Sequence, residues 1–160
     1  MLNIKLICVG KLKEKFYIQG AEEYSKRLTP YCRLEIDELP EAKRGENPST
    51  AETVSALKKE ADEIMRHIPK GAAVIAMCVE GKGLSSEELA SEIKRRAEGG
   101  ESRICFIIGG SDGLHDSIKA LSPLKLSMSR MTFPHHLARV MLLEQIYRAF
   151  KINEGSRYHK

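Results

Sequence analysis

Apolar and polar positions along this chain fall into blocks that alternate between two periods. Runs at 2–9, 31–39, 72–79, 103–108 and 124–128 are rich in Ile, Val, Leu and Cys and short enough for strands. Between and after them, helical spacing recurs near 14–28, 50–67, 85–98, 114–121 and 134–150. The runs at 74–79 and 104–108 lack polar alternation, as expected of strands covered on both faces. Local punctuation agrees. Ser85 to Glu88 reads as a capping box, Pro134 suits a first helical turn, and Gly99-Gly100 stops the third helix. Strands alternating with helices predict an α/β fold, a mostly parallel sheet with helices on both faces. Ligands of such sheets collect beyond the carboxyl ends of the strands. The loops expected to matter are therefore "VEGKG" at 79–83, "GGSDG" at 109–113 and "SMSRMTF" at 127–133. The polar stretch "PEAKRGENPS" at 40–49 reads as a mobile surface loop, too short to separate domains. Residues 1–160 are expected to form a single domain.

The last helix, "PHHLARVMLLEQIYRAF" at 134–150, is apolar around most of its circumference at about 100° per residue. Such a helix is buried on most sides. One face on the sheet and another against a second copy predicts a homodimer through 134–150; complete coverage by its own chain is the competing reading. His135 and His136 diverge by about 100° and cannot hold one metal from one face, so structural or capping roles are expected.

Composition changes this picture little. With 160 residues, 42% of them hydrophobic, the chain can bury one core. No apolar run approaches the roughly 20 residues that cross a bilayer. The first residues read as a strand and not as a signal peptide, so a cytoplasmic protein without a membrane partner is expected. Cys8, Cys32, Cys78 and Cys105 stand singly with no C-x-x-C spacing, which predicts buried reduced thiols and no metal. The net charge of +4 permits an anionic partner, and its placement says more. Lys5, Lys11, Lys13 and Lys15 meet only Glu14 at one end; Arg148, Lys151, Arg157 and Lys160 meet only Glu154 at the other. Two basic ends fit phosphates, or simply solvated surface.

"FIIGGSDGLH" at 106–115 empties a strand into a glycine turn, a common nucleotide seat. Yet Ser111 and Leu114 stand where a dinucleotide fingerprint starting at Gly109 needs glycine, and no Walker Gly-Lys-Ser/Thr follows. Either the glycines only permit a tight turn, or the ligand lacks phosphate, as S-adenosylmethionine does.

Several segments together resemble a known family. "VGKLKEKF" at 9–16, "EGKGLSSEELA" at 80–90, "FIIGGSDGL" at 106–114 and "LSMSRMTFPHHLARVMLLEQIYRAFKINEGSRYHK" at 126–160 are similar to the ribosomal RNA large subunit methyltransferase H family, from end to end. The resemblance implies a SPOUT fold with a C-terminal trefoil knot, a homodimer, and S-adenosylmethionine as cofactor. It implies methylation of N3 of a pseudouridine in a stem-loop of 23S ribosomal RNA on the assembled ribosome. Carried over by motif, the cofactor contacts are Met77, where the family more often has leucine, Gly109, Met128, Ser129, Arg130, Met131, Thr132 and Phe133.

N3 of the target carries a proton that must leave; if it titrates about two units above neutrality, this costs roughly 3 kcal/mol. Arg139, Tyr158 and His159 are the candidates to stabilise the anion, stack on the base or accept the proton, with His159 the natural base near neutrality. Arg148, Arg157 and Lys160 are assigned to RNA phosphates. The alternative is a non-catalytic RNA- or ribosome-binding protein of the same fold, and a small NAD-binding enzyme is more distant.

Overall fold

The computed structural model describes residues 1–160. Five strands, β1 (Leu2–Val9), β2 (Cys32–Leu39), β3 (Ala73–Gly83), β4 (Arg103–Ile108) and β5 (Leu124–Ser127), alternate with helices α1 (Lys15–Leu28), α2 (Thr50–His67), α3 (Ser86–Glu98), α4 (Asp116–Ala120) and α5 (His135–Asn153). The strands form one sheet in the order β2-β1-β4-β3-β5, and every pairing is parallel. Alternation along β4 explains why it has no polar position after the exposed Arg103. Ile104, Phe106 and Ile108 point to one face and Cys105 and Ile107 to the other, and all are buried.

Connections β1→β2 and β3→β4 step one way along the sheet, while β2→β3 and β4→β5 step the other way. Crossovers of a single hand must then place α1 and α3 on one face and α2 and α4 on the opposite face. The cores follow that division. Ala21 and Leu28 of α1 and Leu89, Ala90 and Ile93 of α3 pack on the first face, together with Leu142, Leu143, Ile146 and Ala149 of α5. Ala61 and Ile64 of α2 and Ile118 of α4 pack on the second. Because α5 lies against both α1 and α3, its own chain covers much of its circumference; Val140, Met141 and Tyr147 stay half-buried.

Three local expectations are corrected. The stretch 79–83 is not a loop: β3 continues to Gly83 through a bulge, with Met77 and Lys82 both opposite Leu126. A Cβ at Gly81 would lie 2.7 Å from the Lys125 carbonyl oxygen, so only glycine admits this approach. The 40–49 stretch does not hang free, since Arg44 and the Ala42 N–H both bond the buried Glu60 of α2. Helix α5 runs past 150 to Asn153. The four cysteines are free and buried; burial pushes the Cys8 and Cys105 thiols up to about 12 and Cys32 up to about 11. No helix is long and apolar enough to cross a membrane.

Candidate active site

Adjacent strands β3 and β4 send their connections to opposite faces, and a crevice must open above such a pair. A cleft of about 890 Å³ lies there, walled by the bulged end of β3, the turn after β4 and the loop after β5. Its walls are mainly apolar side chains and bare backbone: Met77, Ile108, Leu114, Leu126, Met131 and Phe133 surround the Gly109–Gly113 turn. Of the eight residues expected to contact a cofactor, Met77, Gly109, Met128, Ser129, Met131, Thr132 and Phe133 line this one cleft. Arg130 is exposed and is not among the lining residues.

Local chemistry shapes both loops. A Cβ at Gly109 would lie 2.3 Å from the Gly113 carbonyl oxygen, so the turn's own backbone demands glycine there. The Gly113 N–H donates to Gly110 O at 3.0 Å and closes the turn; of its three glycines only Gly113 has positive φ, +79°. In the second loop the Ser127 hydroxyl donates to Ser129 O at 3.0 Å, and the Ser129 hydroxyl accepts from the Met131 N–H at 3.0 Å. These short polar side chains fold the backbone on itself. His115 likewise caps α4, accepting from the Ser117 N–H at 3.1 Å.

Charge in the cleft is sparse. Glu80, Asp112 and Lys119 are the charged lining residues, two acids against one base, and Lys119 Nζ lies 2.5 Å from Glu80 Oε1. Nothing there would neutralise a pyrophosphate. A cationic or zwitterionic ligand fits instead, and about 890 Å³ with apolar walls suits a molecule the size of S-adenosylmethionine. Pattern reading missed His135 as a lining residue. Its ring packs on His136 with centroids 4.1 Å apart, and the two imidazoles stand over Gly10. Burial first, then His136 and Arg139, hold His135 below the ordinary histidine range, so it is neutral at pH 7. Pro134 could have flagged it, because a helix that starts at a strand's carboxyl edge turns its first side chains into the crevice.

The three expected catalytic residues do not converge within one chain. Arg139 is 3% exposed and sits under the cleft's edge, donating to Glu38 and, at 2.9 Å, to Gly10 O. Tyr158 and His159, past the end of α5, fold back against its Glu144, Tyr147 and Arg148. The Tyr158 hydroxyl donates to Glu144 Oε1 at 3.2 Å, and Arg148 stands over its ring at 4.8 Å. His159 Nε2 is 2.7 Å from Glu87 Oε1, and Arg148 Nη1 is 3.1 Å from Nδ1. Arginine can only donate, so Nδ1 carries the lone pair and the proton sits on Nε2, facing Glu87. Beside this tail is a second hollow of about 560 Å³, lined by Ser86, Glu144 and Gln145 among others. Leu126, Ser127 and Met128 line both cavities and form their common wall. Of the residues assigned to RNA, Arg157 and Lys160 are exposed, whereas Arg148 is engaged by Glu144 through Nε at 2.9 Å and Nη2 at 2.6 Å. Lys11, Lys13 and Lys15 are exposed beside Phe16, itself 64% exposed, just past the carboxyl end of β1.

Residues 2–159 match the sequence family described as "Predicted SPOUT methyltransferase". The ribosomal RNA large subunit methyltransferase H of Clostridioides difficile (strain 630) is 50% identical over 159 residues, 99% of this chain and 100% of the relative. Among solved structures, the tRNA (m1G37) methyltransferase of Aquifex aeolicus superposes with a TM-score of 0.55 at 12% identity, over 91% of this chain and 69% of that one. A Legionella pneumophila protein solved in complex with the cofactor SAM gives 0.51 at 15% identity, over 93% of this chain and 66% of that one. At such identities the structural likeness speaks for the fold, and the full-length sequence match speaks for the family: this chain belongs to the SPOUT methyltransferases, within the ribosomal RNA large subunit methyltransferase H family.

Proposed function

We propose that this chain transfers a methyl group from S-adenosylmethionine to N3 of a pseudouridine in a stem-loop of large-subunit ribosomal RNA. Methylation of ribosomal RNA follows from the family; the nucleotide and the residue roles are this reading's own. The observation that carries the cofactor assignment is the cleft at the β3/β4 crevice, apolar, glycine-walled and without surplus positive charge. When bound, the cofactor supplies an activated methyl group. The protein's part is to enclose the adenosine between Met77 and the 128–133 loop, exclude water, and orient the reacting atoms. Positioning of that kind supplies up to roughly 7–11 kcal/mol.

The tail does the remaining chemistry. His159 Nδ1 has an available lone pair once Arg148 turns from it, which suits it to receive the N3 proton. Tyr158 offers an aromatic face to the target base. Arg157 and Lys160, with Lys11, Lys13 and Lys15, supply phosphate contacts, while Arg148 orders the tail and is released to RNA only at the expense of Glu144. Arg139 acts on the site from below, holding the start of α5 to Gly10, just past β1, and to Glu38 of β2. A second copy packed on α5, and the trefoil threading of the C-terminal segment, belong to the same reading.

Calorimetry with S-adenosylmethionine and NAD tests the cofactor assignment: micromolar binding of the first and none of the second is expected. Deleting 157–160 should leave cofactor binding nearly intact and abolish methyl transfer. Transfer unchanged by the deletion would rule out the tail, and absence of cofactor binding would favour a non-catalytic RNA-binding protein.

A further inference from the structure

We propose that Arg44 is a positioning residue of the cofactor cleft, holding the Gly109–Gly113 turn from behind through Asp112. The inference rests on the reading of that cleft as the S-adenosylmethionine site. Arg44 belongs to the segment joining β2 to α2; its side chain is 12% exposed and does not line the cleft. Its guanidinium lies between two carboxylates from different parts of the chain. On one side Nη1 donates to Glu60 Oε2 at 3.0 Å, and the Glu60 side chain is 3% exposed. On the other, Nε is 2.9 Å from Asp112 Oδ2, and Asp112 is a cleft-lining residue of the glycine turn. The Nε N–H is not aimed at that oxygen, so the contact is one of charge and not a directed hydrogen bond.

The loop is built around this pair. Glu60 Oε2 also accepts from the Ala42 N–H at 2.9 Å, and Arg44 Nη1 donates to Ala42 O at 2.7 Å. The loop meets the turn a second time at Glu41, whose Oε1 would stand 3.1 Å from a Cβ on Gly110. A buried carboxylate needs its cation, so Glu60 determines where Arg44 sits. Asp112, 40% exposed, adds little to global stability through its ion pair. What the pair can set is the geometry of a turn with three glycines, whose backbone is otherwise unusually free. Freedom left in that turn must be removed when a ligand binds, at a cost in affinity. Arg44 removes it beforehand, so cofactor affinity is the property expected to respond to its loss.

Arg44→Gln alone would strand Glu60, so the informative protein is the double variant Arg44→Gln/Glu60→Gln, which leaves the net charge of the site unchanged. Its melting temperature should stay within a few degrees of wild type. Calorimetry with S-adenosylhomocysteine should show affinity weakened about tenfold. Hydrogen exchange on the ligand-free proteins should speed up at 110–114 and not at 104–108, and Asp112→Asn should reproduce that local change. Unchanged exchange at the turn, or affinity within twofold of wild type, would overturn the proposal. Failure of wild type itself to bind S-adenosylhomocysteine would instead overturn the cofactor reading, and the exchange comparison tells the two failures apart.

Discussion

Arg139 is a cation whose surroundings decide its role. Its guanidinium is 3% exposed, bonded to Glu38 and Gly10 O, with Nε left without a partner. Burial alone would raise the Glu38 carboxyl; hydrogen bonds from Arg139 and from the Leu12 N–H overcome this and hold it below the ordinary glutamate range. The stability this pair contributes is therefore present above the unfolded-state value and lost as pH falls through the lower folded one. Arg139→Ala would leave Glu38 without its cation. Because Glu38 is one-third exposed, the expected cost is about 3 kcal/mol, the low end for breaking a buried pair. Denaturant unfolding checks it, and Arg139→Met/Glu38→Gln should recover most of the loss. A cost near zero for Arg139→Ala would mean that the residue is free for substrate. From the sequence, Arg139 and His159 look equally available for chemistry, since neither Glu38 nor Glu87 is near its partner along the chain.

At the scale of elements, most boundaries were legible because they rest on local rules. The Ser85–Glu88 capping box forms as the spacing predicts, with the Ser85 hydroxyl accepting from the Glu88 N–H at 3.0 Å and Glu88 Oε1 accepting from the Ser85 N–H at 3.0 Å. The unbroken apolar runs are covered on both faces from Val74 to Cys78 in β3 and from Ile104 to Ile108 in β4, whereas Val79 is exposed. What escaped was long-range. Residues 79–83 read as a loop because Glu80, Gly81 and Gly83 have poor strand propensity, yet β5 supplies the partner that keeps Lys82 and Gly83 in the sheet. The 40–49 stretch read as mobile because Glu60 and Asp112, which fix Arg44, are 16 and 68 residues away. The bulge gives a sharp prediction. Gly81→Ala places a methyl group 2.7–2.9 Å from the Lys125–Leu126 backbone, which cannot yield as a flexible side chain would. It should cost about 1–3 kcal/mol in thermal unfolding and weaken cofactor binding, because Val79 and Glu80 of the bulge wall the cleft. Gly83→Ala, with nothing within 4 Å, is the control and should be near neutral for binding.

For the molecule as a whole, topology places the site. Opposite crossover faces at β3 and β4 open the crevice, and two loops with no common sequence motif become its walls. Leu126, Ser127 and Met128 part the cofactor cleft from the second hollow, and the tail is held on the Glu144 side, through Glu87, Glu144 and Arg148. A catalytic role for the tail therefore requires the target base to reach across that wall, or a second copy to deliver its own tail. Lysines 11, 13 and 15 are exposed just past the carboxyl end of β1, so binding to a phosphate-rich partner should weaken with salt. The most direct test of the whole account is transfer of labelled methyl from S-adenosylmethionine to intact ribosomes, free large subunits and naked ribosomal RNA. The account predicts label in large-subunit RNA within intact ribosomes, at N3 of a pseudouridine, and its loss on deletion of 157–160. Label in none of the three substrates, from protein that binds the cofactor, would contradict it.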